Sequence, residues 1–217
     1  MKVEITLDKA SDWGKARIIL DGAMKLQPLV QKAIVAELQF IRKKIVETFD
    51  NEGPPGAKWK PLQPMTLAVR RFEGFKGTKI LQVTRDLVGS ISVVAVPGEG
   101  GFVGVARSKP RKGGQDPVNV ARVHEEGRSY SVTFTDRQRR YLFAALAAAG
   151  LSRTPTAGKG APAGTHAVLI RIPPRPFLGP VFEQYARPED VARSVQARVA
   201  AAVAGKLGRP DGGAPRE

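Results

Sequence analysis

The 217-residue sequence contains no cysteine. That excludes disulfides, thiolate nucleophiles and sulfur-ligated zinc or iron in one step. Histidine is scarce too, with only His124 and His166 available as imidazole ligands or bases. His124-Glu125-Glu126-Gly127 lacks the second histidine, three or four residues away, that a helical zinc site needs. A hydrogen-bonded structural histidine beside a turn glycine is expected there instead. No apolar run approaches the ~18 residues of a membrane span, so no membrane contact is expected. The start, Met1 to Asp8, alternates apolar and polar residues and lacks the basic opening and continuous apolar stretch of a secretory signal. A protein that stays in the cytoplasm where it is made is expected. Gly98, Gly100, Gly101 and Gly104 lie between two extended patterns, and their spacing fits neither the dinucleotide fingerprint nor the phosphate loop. No serine sits in a nucleophile elbow and no carboxylates are paired for catalysis. Neither an enzyme, a cofactor nor a metal site is expected.

What is present suits a folded chain, since 217 residues with 42% hydrophobic content allow a real core. Apolar residues Val30, Ile34, Leu38, Ile41, Ile45 and Phe49 recur every three or four positions, which predicts a helix from Pro28 to Phe49 with Glu37 and Lys44 off its apolar stripe. Pro28 fits its first turn and Gly53-Pro54-Pro55-Gly56 its end. Pro54, Pro55, Pro61 and Pro64 then remove backbone donors, so the following stretch is neither a central strand nor a helix until Thr66, where a short helix to Phe72 is expected. Trp59 is one of only two tryptophans, and its ring is expected beside the long helix as a core anchor together with Leu62.

Strands are expected at Val3 to Leu7, Ser90 to Val96, Phe102 to Ala106, Tyr130 to Phe134 and Ala167 to Ile172. Thr135 and Gln138 form a capping box for a helix from Asp136 to Ala149, and Pro188, Glu189 and Asp190 open a last helix lined by Val191, Val195, Val199 and Val203. Mobile loops are expected at 107–120 and 152–165, and a rigid extended run at Pro173 to Pro180 presents Phe177 and Leu178. The fold class is therefore α+β: a small antiparallel or mixed sheet packed by a long N-terminal and a C-terminal helix. One domain is expected over 1–206, with a flexible tail at 207–217.

The balance of 35 basic and 20 acidic residues gives +15. That suits nucleic acid, an anionic surface or an acidic partner, and equally a solvated basic surface. Candidate contacts are Arg107, Lys109, Arg111 and Lys112 in one loop and Arg137, Arg139 and Arg140 at the front of a helix. Much of the excess is arginine spread through the second half, which weakens a dedicated DNA-binding reading.

Taken in order, a long apolar helix ending in Phe49, then Gly53-Pro54-Pro55-Gly56, Trp59, Pro61-Leu62 and Thr66, then Leu81, Thr84, Leu87 and Ser90-Ile91, resembles the virion morphogenesis (tail completion) proteins of Mu-like tailed bacteriophages. Val103-Gly104, His124 to Gly127, Thr135 to Leu142 and Ile172 to Gly179 are similar to that family's later landmarks, and the resemblance spans about residues 1 to 205. Arg85 stands where the family usually has Gly, and Glu125 where Gln is usual. As a non-glycine residue, Arg85 is expected to avoid positive φ.

The resemblance implies a structural virion protein, a tail terminator or neck component that assembles as a hexameric ring at the head-proximal tail end. There it would stop tail-tube growth, join tail to head, meet the tail-tube protein and the head-completion or connector proteins, and let DNA pass through its lumen. It also makes Phe49, Trp59, Leu62, Leu81, Leu87, Phe177 and Leu178 structural anchors, with Arg70 to Lys79 as the loop that meets a partner.

Overall fold

The computed structural model describes residues 12–96, 100–107, 114–151 and 166–203, with side chains from Leu26 onward except that of His166. The expected strand at Val3 to Leu7, the loop residues Lys109, Arg111 and Lys112, most of loop 152–165 and the 207–217 tail lie outside the described residues. Eleven elements follow in order: α1 Asp12–Asp50, α2 Pro64–Phe72, α3 Asp86–Gly89, β1 Ile91–Val96, β2 Gly100–Val105, α4 Pro117–Glu126, β3 Arg128–Phe134, α5 Asp136–Ala148, β4 His166–Ile172, α6 Gly179–Tyr185 and α7 Pro188–Val203. The class is α+β, and the strands divide between two two-stranded antiparallel sheets, β1–β2 and β3–β4.

Helix α1 is longer than its apolar stripe suggested. Pro28 lies inside it rather than in its first turn, and 39 residues at 1.5 Å each give about 58 Å. The buried line also shifts along the helix: Ala33, Glu37 and Ile41 are buried near its middle and Ile45, Thr48 and Phe49 near its end, whereas Val30 is exposed. Pro64 opens α2 at its first position, where the missing N–H costs no helical bond. Part of the expected 107–120 loop is helix instead. Asp116 caps α4 by accepting the Val118 N–H at 2.9 Å, and Pro117 occupies its first turn.

The chain packs as two compact units. One contains α1 up to Arg42, β1 from Val93, β2 up to Val103, and residues 182–203. Its centre is polar, because Glu37, 2% exposed, accepts the Ser194 hydroxyl at 2.6 Å and pairs with Arg198 at 3.5 Å. Phe40 and Tyr185 meet edge to face, with ring centres 6.0 Å apart. The Ser194 and Arg198 contacts to Glu37 tie α7, which has no fully buried residue of its own, to α1.

The other unit spans residues 43–92 and 104–181. Here α1 ends in a tight reversal: Gly53 N–H bonds the Thr48 carbonyl at 2.9 Å, and a Cβ on Gly53 would stand 2.2 Å from the Ala57 carbonyl oxygen. Only glycine fits that position. Helices α2 and α5 pack together, each burying an alanine, Ala68 and Ala145. The capping box of α5 forms as its sequence predicts, with Gln138 N–H bonding Thr135 Oγ1 and Thr135 N–H bonding Gln138 Oε1.

Candidate functional site

The second unit centres on three aromatic rings from distant parts of the chain. Phe49 closes α1, Trp59 follows the proline-rich bend and Phe177 lies in the run before α6; all three are buried. Phe49 meets Trp59 edge to face at 5.6 Å and Phe177 at 4.8 Å. The indole N–H of Trp59 donates to the Pro176 carbonyl at 3.0 Å.

Backbone accounting explains why the run Pro173 to Leu178 holds one shape. Its three prolines have no N–H, leaving those of Arg175, Phe177 and Leu178 to be satisfied. Arg175 N–H donates to the His124 carbonyl at 2.6 Å. The N–H groups of Phe177 and Leu178 both donate to Glu125 Oε1, at 2.8 and 2.7 Å. Gly127, with φ +71°, lets the chain turn directly beside Pro174, where a Cβ would come within 3.0 Å. On the other flank, Arg175 Nη2 donates to the Lys60 carbonyl at 3.2 Å. Bonds to the end of α1 fix the segment before α3 as well: Ile80 N–H reaches Glu52 Oε1 at 2.9 Å and Gln82 Nε2 reaches the Phe49 carbonyl at 2.7 Å.

Two ionisable side chains inside this junction each bury a nitrogen without a hydrogen-bond partner, His124 against the hydrogen-bonded histidine expected there. The Nδ1 of His124 is buried without a hydrogen-bond partner, so it is the main-chain carbonyl of this residue that is bonded. Burial, and then the charge of Arg175, lower its pKa from 6.5 to about 4. Arg175 is itself buried, its Nε lacks a partner, and burial followed by repulsion from Arg70 lowers its pKa. Glu125 is the functional residue that the motif reading missed. Its signal in the sequence is weak, because Glu126 offers the same carboxylate and the donors that Glu125 meets lie more than 50 residues away.

Of the expected anchors, Phe49, Trp59, Leu87 and Phe177 are buried, while Leu62, Leu81 and Leu178 are half-buried. Leu81 and Arg85 both take left-handed backbone at φ +59°. The expectation that Arg85 avoids positive φ is therefore wrong: it holds the turn into α3 in the conformation glycine adopts more readily.

The outward face of α2 and α5 is different in kind. Phe72 and Tyr141 meet edge to face at 5.2 Å, the Tyr141 hydroxyl bonds Glu73 at 3.1 Å, and Met65, Phe72, Phe75 and Tyr141 are all exposed. The loop after α2 is held by Phe75 N–H to the Arg70 carbonyl at 2.8 Å and Arg70 Nη1 to the Lys79 carbonyl at 2.9 Å. Helical spacing sets Arg137 beside Tyr141 on α5, whereas Arg140, the residue before Tyr141, lies about 100° round the helix; both arginines are exposed. Arg139 is half-buried and pairs with Asp136 at 3.8 Å, and Arg140 Nε reaches the Asp136 carbonyl at 3.4 Å. Arg107 pairs with Asp116 at 3.6 Å and is otherwise exposed, so it is separate in sequence and partner from the α5 arginines. Among the described residues no group of three or more His, Asp or Glu could hold a metal, and no helix is long and apolar enough to cross a membrane.

The junction is braced by packing and hydrogen bonds, and α2 and α5 expose aromatic and cationic side chains. The chain belongs to the phage virion morphogenesis family, whose model matches residues 20–195. Searches of curated proteins and of solved structures return no match.

Proposed function

We propose that this protein is a ring-forming subunit at the head-proximal end of the tail, or in the neck, of a Mu-like tailed phage. There it ends growth of the tail tube and joins tail to head as a virion component. The family match over residues 20–195 carries this reading. The packed Phe49–Trp59–Phe177 junction and the packing of α2 on α5 support it, since both suit a part that keeps its shape in an assembly. The basic, aromatic face suits an acidic surface with an apolar anchor on a tail-tube or connector protein. The test is light scattering of the purified protein together with binding to purified tails. An oligomer that caps tail ends is expected; a strict monomer that ignores tails overturns the reading.

A second reading, nucleic-acid contact, is favoured by the net charge of +15 and the exposed Arg107, Arg137 and Arg140. It requires a DNA affinity that falls steeply with salt and with neutralisation of those arginines. A flat salt response refutes it.

A further inference from the structure

Among the described residues the β3–β4 ribbon has no strand on either outer edge. Among the described residues each strand pairs only with the other, so its outer row of backbone donors and acceptors has no strand partner. The two strands run antiparallel, both seven residues long and in full register, from Arg128 opposite Ile172 to Phe134 opposite His166. Alternation places Tyr130, Val132 and Phe134 on one face with Val168, Ile170 and Ile172, and Ser129, Ser131 and Thr133 on the other with Leu169. Solvent reaches large apolar side chains on both faces, with Tyr130 40%, Val168 43% and Leu169 55% exposed. An isolated two-stranded ribbon is marginal in water. The usual protections of an exposed edge are nearly missing: neither strand contains proline, and their only arginines, Arg128 and Arg171, sit at the same end.

We propose that this ribbon is where one copy of the chain meets the next, the outer edge of β4 taking the outer edge of β3 from a second copy. The proposal rests on the self-assembly in the reading above and specifies its contact. Three properties of the ribbon select a second copy. Because β3 and β4 are antiparallel, a copy rotated about an axis that runs along the strands brings its β3 antiparallel to the first copy's β4. Equal strand lengths leave no overhang, and the apolar row continues on the same face. The contact uses β3 in one copy and β4 in the other, so it is heterologous, and each copy carries both halves. Main-chain hydrogen bonds supply the attraction and the alternating side chains set the register. Each copy carries +15, so repulsion opposes approach and added salt strengthens assembly. DNA binding has the opposite salt dependence.

A chain without cysteine makes engineered single cysteines unambiguous. Ser129→Cys, Ser131→Cys and Thr133→Cys lie on the exposed face of β3, and Leu169→Cys lies on the same face of β4. Each full-length β3 variant is mixed with Leu169→Cys and oxidised, in solution and on purified tails. Paired edges bring one of these combinations to the ~3.5–4.5 Å Cβ separation a disulfide needs. The expected result is a mixed disulfide at twice the 23.4 kDa chain mass, exceeding either homodimer and increasing with salt. Oligomers or capped tails with no mixed disulfide in any combination overturn the strand contact and leave self-assembly standing. A predominance of Leu169→Cys homodimers also overturns it, since that contact is isologous. A monomer that neither crosslinks nor binds tails overturns both.

Discussion

Replacing Trp59 by alanine removes the ring that joins α1 to the run before α6. Trp59 is 6% exposed, lies 5.6 Å from Phe49 and donates its indole N–H to Pro176 at 3.0 Å. Truncating a buried aromatic costs about 3–5 kcal/mol. For a chain of this size each kcal/mol lowers Tm by roughly 2–4 °C, so the expected drop is about 6–20 °C. Trp59→Phe keeps most of the packing but leaves the Pro176 carbonyl without its donor, a cost of about 1–3 kcal/mol. The assay is thermal and urea unfolding by circular dichroism, with tail binding measured in parallel below the melting temperature. Stability should fall in the order wild type, Trp59→Phe, Trp59→Ala, with tail binding lost only where the fold is lost. An Ala variant that melts like the wild type and no longer binds tails refutes the reasoning and moves Trp59 from the core to an interface.

Further expectations concern the same junction. Glu125→Gln keeps a carbonyl acceptor for Phe177 and Leu178 and should cost under about 1 kcal/mol. Glu125→Ala orphans both N–H groups and should cost about 2–4 kcal/mol in urea unfolding; equal effects would show that the bonds at 2.8 and 2.7 Å are not what holds the run. His124 has its folded pKa lowered to about 4, from 6.5, by burial and by Arg175. Its unfolded form therefore takes up a proton first, and stability that is complete above about pH 6.5 falls as pH drops toward about 4. Urea midpoints measured across that window should decline less for His124→Gln, and an identical decline would contradict this assignment. Arg85→Gly, at φ +59°, should raise stability by about 1 kcal/mol by relieving left-handed backbone; a loss of stability would show that the Arg85 side chain contributes more than its backbone costs.

Features written in local pattern were legible in the sequence. The Thr135–Gln138 capping box, the Ile41–Ile45–Phe49 stripe and the alternation of β3 and β4 each depend on residues within a few positions of one another. Features made by long-range packing were not. Glu37 has a charged side chain on a helix, yet it is buried because Ser194 and Arg198 reach it from more than 150 residues away. Glu125 gains its role from Phe177 and Leu178, over 50 residues on. Pro28 reads as a helix start by its own preferences, but α1 continues on both sides of it. Helix α4 carried a readable signal, Asp116 followed by Pro117, which the basic glycine-rich composition just before it obscured. For the site, buried anchors could be named because large aromatics near prolines pack. Lys109, Arg111 and Lys112 lie outside the described residues, and the exposed face of α2 and α5 emerged only once Phe72 and Tyr141 were brought together.

The central claim is that copies of this chain sit together where tail meets head. Cryo-electron microscopy of the intact virion, with density assigned to the fold of residues 43–92 and 104–181, tests it most directly. A closed ring of this fold is expected at the head-proximal end of the tail or in the neck. Density for the fold inside the capsid, along the tube or at the distal tip, or its absence from the particle, would contradict it.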